Sequence, residues 1–327
     1  MADPAGTAPQ LLCLGELLVD MVPLEEGLSL EEARTYLWAA GGAPANVAVA
    51  AARLGSRSAV AAAVGDDPFG RALAAELRSA GVDTTHVVPA PRATAVAFVS
   101  LSAGGERSFA FYGDDPAHYH LTEEHALAAV ERLAGADGTR CLHFGSVCLA
   151  REPARSATRA AVAAAREAGC LVSCDVNLRE AFWGDLDEAR AVIGELAGMA
   201  DLVKASEEEA RFLAPEAGER GLAERLLGGS ARIVVVSRGA RGATAFTRSF
   251  AATAPAPQVD SVDATGAGDA LTGALLASTV LAPDVWYDEA AARAALQRAC
   301  AYAALSTTRR GAIPSYPTAE ELAAFLG

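Results

Sequence analysis

From residue 122 to the C-terminus the chain exchanges helical and strand patterns in regular order, and that order leaves few folds available. Apolar periodicity predicts helices over 122–134, 153–168 and 186–198, leading to short apolar strands at 140–145, 170–175 and 201–203. A helix at 206–213 precedes a strand at 232–236, and a short strand pair follows near 243–254. Helices at 268–280, 288–305 and 318–326 close the chain. Such alternation implies an α/β fold with a mainly parallel sheet and helices on both faces, because parallel neighbours are joined by crossovers.

Ahead of that region, Leu11 to Val22 reads as one strand emerging from a disordered tail of residues 1–10. A helix over 44–54, a strand over 58–64 and a helix over 69–80 follow. Ala93 to Leu101 then alternates with period two, Gly104-Gly105 supplies a turn, and Arg107 to Tyr112 returns, which is the pattern of a hairpin. A hairpin does not fit the parallel alternation, so it reads as a small β lid on the main domain. The 327 residues, 52% hydrophobic, are ample for a large core, and no repeat or linker divides them.

A net charge of −14 argues against a nucleic-acid partner, since such binders carry a basic face, although small anions can still bind at local dipoles. The six cysteines, at 13, 141, 148, 170, 174 and 300, form no CxxC pair and lie mostly in apolar contexts, as expected in a reducing compartment. The first ten residues have no cationic segment, and Glu16 and Asp20 interrupt the apolar stretch that follows. No signal peptide, membrane span or membrane partner is therefore expected, and the expected location is cytoplasmic.

The short stretch with most chemistry in it is VDATGAGDALTG, Val262 to Gly273. Its glycines leave backbone N–H groups uncovered at the entrance to an apolar, helix-like run, where a positive helix end binds anions. Asp269 makes sense there if a proton has to be taken from something nearby; the plain alternative is a Gly-rich turn with Asp269 as a helix cap. A second cluster, Gly41-Gly42-Ala43-Pro44-Ala45-Asn46, combines close backbone approach with the donor and acceptor of Asn46, which suits a hydroxyl. It equally suits a tight strand-to-helix turn with Asn46 satisfied internally. Asp20, at the end of the first strand, could accept bonds from two neighbouring hydroxyls. No GxxxxGK[ST] loop, complete dinucleotide fingerprint or GxSxG elbow occurs. His118-Tyr119-His120 lacks a carboxylate or cysteine at metal-binding spacing and reads as exposed loop histidines.

Taken in order, GELLVD, GGAPANVAVAAARLG, VGDDPFG, GERSF, CDVNLREAFW, KASEEEA, VDATGAGDA and TTRRGAIP make the chain resemble the PfkB, ribokinase-like family of carbohydrate kinases. The resemblance runs from about Leu11 to Leu326 and is strongest to the fructokinases. It implies a ribokinase-like three-layer α/β/α core in one domain over 11–327, with the lid drawn from segments near 16–43 and 93–113. It also implies transfer of the γ-phosphoryl group of ATP, with Mg2+, to a sugar hydroxyl, fructose being the expected sugar.

On that resemblance Asp269 is the catalytic base, and Gly266, Ala267 and Gly268 form the anion hole. Asp20, Gly41, Gly42 and Asn46 match positions that hold the sugar; Arg107 either reaches it or is an exposed turn residue. Ser237, Gly239 and Gly242 fall where relatives bind the nucleotide, and Cys300 stands where many carry Asn or His. Asn177 and Arg179 lie at a carboxyl strand end, where a role near phosphate competes with a structural salt bridge. Glu209 matches the acidic residue that orders Mg2+ through water, with Ser206 in place of the usual asparagine three residues earlier. Asp263, Thr265, Ser306, Arg309, Gly311 and Ser315 align with loops that bind a monovalent cation, K+, in several relatives, mainly through carbonyls. Lys204 has two readings, a member of the site or a solvated strand-end charge.

Some positions depart from the family pattern. Ser237-Arg238-Gly239 replaces a frequent Thr-Leu-Gly, while Gly113 and His118 stand near the sugar where plant-type fructokinases place Arg and Asp. A kinase for another sugar, sugar acid or nucleoside, such as 2-keto-3-deoxygluconate or ribose, is the alternative within the class. An inactive relative acting as a binding partner is the alternative outside it, opposed by the intact GAGD loop. The expected partners are MgATP and a small sugar. Pairing of two lids into a homodimer is a further expectation, since the strand AVAFVSL is apolar enough to pair, although one buried lid face would give the same pattern.

Overall fold

The computed structural model describes residues 8–25, 27–101 and 107–327, and in it the chain divides between two sheets almost at once. Ahead of the first strand, Gln10 donates its backbone N–H to Arg57 at 2.8 Å. Where one strand is expected from Leu11 to Val22 there are two: β1 (Leu11–Leu14) lies in the main sheet and β2 (Leu18–Pro23) in the small one. The break falls at Gly15 and Glu16. A carboxylate cannot continue an apolar strand between two helix layers without a partner. Glu16 instead turns aside and accepts the Ala43 N–H at 2.9 Å. Asp20 consequently belongs to the lid sheet, not to the end of a core strand.

β3 (Tyr36–Gly41) pairs back on β2, and α1 (Ala43–Arg53), β4 (Ser58–Gly65) and α2 (Pro68–Ser79) return the chain to the core. β5 (Asp83–Ala90) ends one edge of the main sheet. Its sequence, DTTHVVPA, is only partly apolar because its side chains are only partly covered, and an edge tolerates Pro89. The hairpin β6 (Val96–Leu101) and β7 (Arg107–Tyr112) completes the small sheet in the order β3-β2-β6-β7; its Gly104-Gly105 turn lies outside the described residues.

The expected alternation then follows: α3 (Glu123–Ala134), β8 (Cys141–Phe144), α4 (Ala154–Glu167), β9 (Leu171–Asp175), α5 (Leu186–Ala197), β10 (Leu202–Ser206) and α6 (Glu207–Leu213). α7 (Gly218–Leu227) is absent from the sequence pattern because its glycines hide it; burial of Leu222, Ala223, Leu226 and Leu227 overrides their poor propensity. β11 (Ile233–Ser237), β12 (Ala243–Phe246) and β13 (Ala251–Ala254) lead to α8 (Ala267–Leu281), α9 (Glu289–Ser306) and α10 (Ala319–Leu326).

The main sheet has nine strands in the order β13-β12-β11-β10-β9-β8-β1-β4-β5, parallel except around β12. Its strands are buried on both faces, so they read as continuous apolar runs such as IVVV in β11. One core lies under α1, α2, α8 and α9, the other under α3 to α7. Parallel strands put all their carboxyl ends at one edge, where ligands of open α/β sheets gather. The packing of α1 beside α8 brings both helix N-termini to that edge. Among the described residues no helix is long and apolar enough to cross a membrane, and all six cysteines are free and buried.

Candidate active site

Gly266 stands at φ 72°, and a Cβ there would lie 2.5 Å from the Tyr316 hydroxyl and 2.6 Å from Ala312 Cβ, so only glycine can open α8 in this way. The Tyr316 hydroxyl donates to the Gly266 carbonyl at 3.0 Å and pins the turn. Asp269 is the third residue of α8, with its carboxylate at the positive end of the helix. Gly42, at φ 106°, performs the matching turn into α1, where a Cβ would collide with the Glu16 carbonyl. Asn46, one turn into α1, donates its side-chain amide to Asp269 at 2.8 Å. The two glycine clusters are therefore one site.

Three carboxyls share it. Burial pushes Asp269 up to about 6, against the opposing hydrogen bond from Asn46. Asp20, whose carboxylate would collide with any side chain on Gly41, is pushed to about 7 by burial and then by the charge of Asp269. Glu16 also stands at about 7, mainly through burial. Arg179 is the cation that opposes the rise in all three.

On the other side of Gly268 a cavity of about 480 Å³ is lined by Ser237, Gly239, Gly242, Gly268, Leu271 and Cys300. Arg238 turns away from it to Glu219, at 3.0 Å. Ser206 caps α6 and forms a reciprocal box with Glu209, whose two oxygens accept Ser206 N–H at 2.7 Å and Leu178 N–H at 2.9 Å. Asn177, at φ 34°, follows β9 and takes the Ser146 hydroxyl on its carbonyl at 3.0 Å. No group of three His, Cys, Asp or Glu could hold a metal among the described residues. Glu209 does fit contact through water to Mg2+ that arrives with phosphates, since each oxygen keeps a lone pair.

Below the turn, Asp263 accepts Thr265 N–H at 2.9 Å and Gly311 N–H at 2.8 Å, tying two loops together. The hydroxyls of Ser306 and Ser315 are spent on Ala303 and Ala312 carbonyls, and Arg309 pairs with Glu321. Arg309 therefore offers a cation only its carbonyl, and a K+ ion would rest mainly on backbone carbonyls of these loops.

The pfkB family of carbohydrate kinases matches residues 8–319. The chain belongs to that family. It is 43% identical over 320 residues to fructokinase-1 of Oryza sativa subsp. japonica, covering 97% of this chain and 98% of that one. Among solved structures, the fructokinase of Xylella fastidiosa with bound ATP superposes with a TM-score of 0.87 at 32% identity, covering 97% of each chain. A double mutant of the fructokinase of Vibrio cholerae O395, bound to fructose, ADP and a potassium ion, gives 0.86 at 36% identity, covering 98% of this chain and 99% of that one.

Within this pfkB kinase, several residues differ from the sequence reading. Lys204 is not a solvated charge: it is 5% exposed, pairs with Asp175 at 3.0 Å, and its ammonium lies 3.3 Å from where a Cβ on Gly268 would stand. Thr272 of α8 donates to Asp175 Oδ2 at 3.0 Å, the oxygen that also makes the 3.0 Å pair with Lys204. Asp175, Lys204 and Thr272 carried one signal, charged or polar residues within or at the end of apolar runs. His118 is not an exposed loop histidine either. It is 1% exposed, because its short turn packs against β4, β5 and α4, and burial lowers its pKa to about 3. His120 is more open and pairs with Asp115 at 2.8 Å. Arg107 begins β7, opposite Leu101, and its side chain lies outside the described atoms.

Proposed function

We propose that this pfkB kinase is an ATP-dependent fructokinase, transferring the γ-phosphoryl group of ATP to a hydroxyl of fructose. The observation that carries the reading is the position of Asp269, bonded to Asn46 on one side and adjoining the cavity at Gly268 on the other. Sugar would lie between Asp20 of the lid and Asn46, with the adenosine end of ATP in the cavity of Ser237, Gly242 and Cys300. Asp269 takes the proton of the attacking hydroxyl; at about 6 its carboxyl is ionised at neutral pH yet basic enough for the task. The amides that open α8, from Gly266 to Asp269, meet the charge that builds on the transferring group, a preorganised electrostatic role. Mg2+ would neutralise phosphate charge, held through water on Glu209. K+ would rest on carbonyls of the two loops joined by Asp263, fixing the turn before α8.

The buried free thiols fit a cytoplasmic site of action. Homodimerisation through the lid belongs to the same proposal, supported by Leu37 and Tyr112, which are 60% and 64% exposed on its strands. A mass that stays monomeric across micromolar concentrations in sedimentation would remove it.

The deciding experiment is kcat/KM for fructose, ribose, glucose and 2-keto-3-deoxygluconate under saturating MgATP. Fructose is expected to lead, with discrimination appearing in kcat/KM, since polar groups left unpaired by the wrong sugar cost transition-state binding. Another sugar in first place would overturn the fructose reading. No ATP consumption with any of them would point to a binding protein instead.

A further inference from the structure

Buried polar atoms without partners are few in a folded chain, so where they gather indicates where a ligand is received. Among the described residues nine such side-chain atoms occur, and two of them, Glu16 Oε2 and Asn46 Oδ1, belong to groups that surround Asp269. Asn46 matches a known sugar position of the family. Glu16 does not, and its geometry asks for an explanation.

We propose that Glu16 is a substrate-contacting residue: Oε1 holds the turn into α1, while Oε2 receives a hydroxyl of the sugar beside Asp269. The first half rests on the 2.9 Å bond from Ala43 N–H, the residue that opens α1 one turn before Asn46. The Glu16 backbone is packed against the same turn, since a Cβ on Gly42 would strike its carbonyl. Holding the turn consumes one oxygen only. The other is buried in a residue 3% exposed and finds no donor.

Position gives that oxygen its role. Glu16 holds the start of α1, which one turn later presents Asn46 to Asp269, and the charges of Asp269 and Arg179 both act on it. Tyr119 and Cys148 feel its charge as well, and the Tyr119 hydroxyl is likewise without a partner. A buried carboxyl oxygen and a buried hydroxyl that both lack partners suit a polyhydroxylated ligand, which brings both donors and acceptors. A residue serving only as a brace would be equally well served by glutamine, whose amide oxygen accepts the Ala43 N–H just as well.

The inference rests on the sugar-kinase reading above, and the experiment keeps the two apart. Wild type is first assayed on the sugar panel, and the best substrate is taken as parent; a parent other than fructose overturns the fructose reading alone, and no substrate at all overturns both. Each monodeoxy analogue of the parent is then compared with it in wild type, Glu16→Gln and Glu16→Ala. In wild type one particular deoxy position is expected to lose about 10–100-fold in kcat/KM, the usual range for a hydrogen bond to a charged group. In Glu16→Ala that analogue and the parent should converge to within about threefold, with the KM for ATP unchanged. The glutamine variant retains the turn bond and carries the same comparison should alanine fail to fold; its penalty at that position should shrink by at least about threefold. Deoxy penalties identical to wild type in both variants would overturn the proposal. So would a rise in the KM for ATP that matches the rise for sugar, since that is the signature of a brace.

Discussion

Asn46 and Asp269 stand 223 positions apart and meet through one 2.8 Å hydrogen bond, the side-chain amide donating to the carboxylate. The bond stabilises the ionised form of Asp269 and so opposes the burial that raises its pKa. It also joins the turn that would hold the sugar to the helix end that would face the phosphate, so one contact would position both the proposed base and the substrate.

Asp269→Asn is expected to keep the fold and ATP affinity while kcat falls by ~10²–10⁴-fold, the usual cost of losing a general base. Single-turnover assays with a purified, folded variant decide it. Retention of more than about a tenth of wild-type kcat lies outside that range and would end the assignment.

Asp20→Ala should weaken sugar binding by roughly 1.5–3 kcal/mol and leave ATP binding near wild type, since its carboxylate sits in the lid over Gly41, away from the nucleotide cavity. Separate calorimetric titrations distinguish this from a general loss: equal weakening of both ligands would remove Asp20 from the sugar site.

The pH behaviour of activity and stability should run in opposite directions. Activity should fall as pH drops through about 6, as Asp269 takes a proton, over a broad limb because Glu16 and Asp20 titrate near 7 beside it. All three carboxyls have folded values above their unfolded ones. Their contribution to stability is therefore present below about pH 4 and lost as pH rises through 6 to 7. Ligand-free wild type and Asp20→Asn compared by Tm at pH 5 and 7.5 should diverge, with the variant gaining at the higher pH. A Tm difference independent of pH would show that Asp20 titrates as an ordinary surface carboxyl.

Lys204→Met should cost about 3–5 kcal/mol in chemical denaturation, because it strands the buried charge of Asp175. Adding Asp175→Asn should return part of that loss. A single variant within about 1 kcal/mol of wild type would match an exposed pair instead. The lost ammonium beside Gly268 should lower kcat even in the more stable double variant.

What the amino-acid order determined by itself is local. A period of 3.6 marked α3 to α6, short apolar runs marked β8 to β11, and a period of two marked the lid hairpin, because such patterns depend only on a residue's own neighbours. The glycines before Asp269 and Asn46 were legible for the same reason, since each meets a backbone need of its own turn. Tertiary structure decided the rest. Leu11 to Val22 carries one apolar pattern, and only the Ala43 N–H, 27 residues beyond Glu16, shows why it must split between two sheets. His118 reads as polar and exposed until three other elements close over it. Lys204 gains its meaning from Asp175 at the end of β9 and from Gly268 and Thr272 of α8, which the fold delivers from two separate stretches of chain. Burial and electrostatic partnership are properties of what arrives from far along the sequence, and no local pattern encodes them.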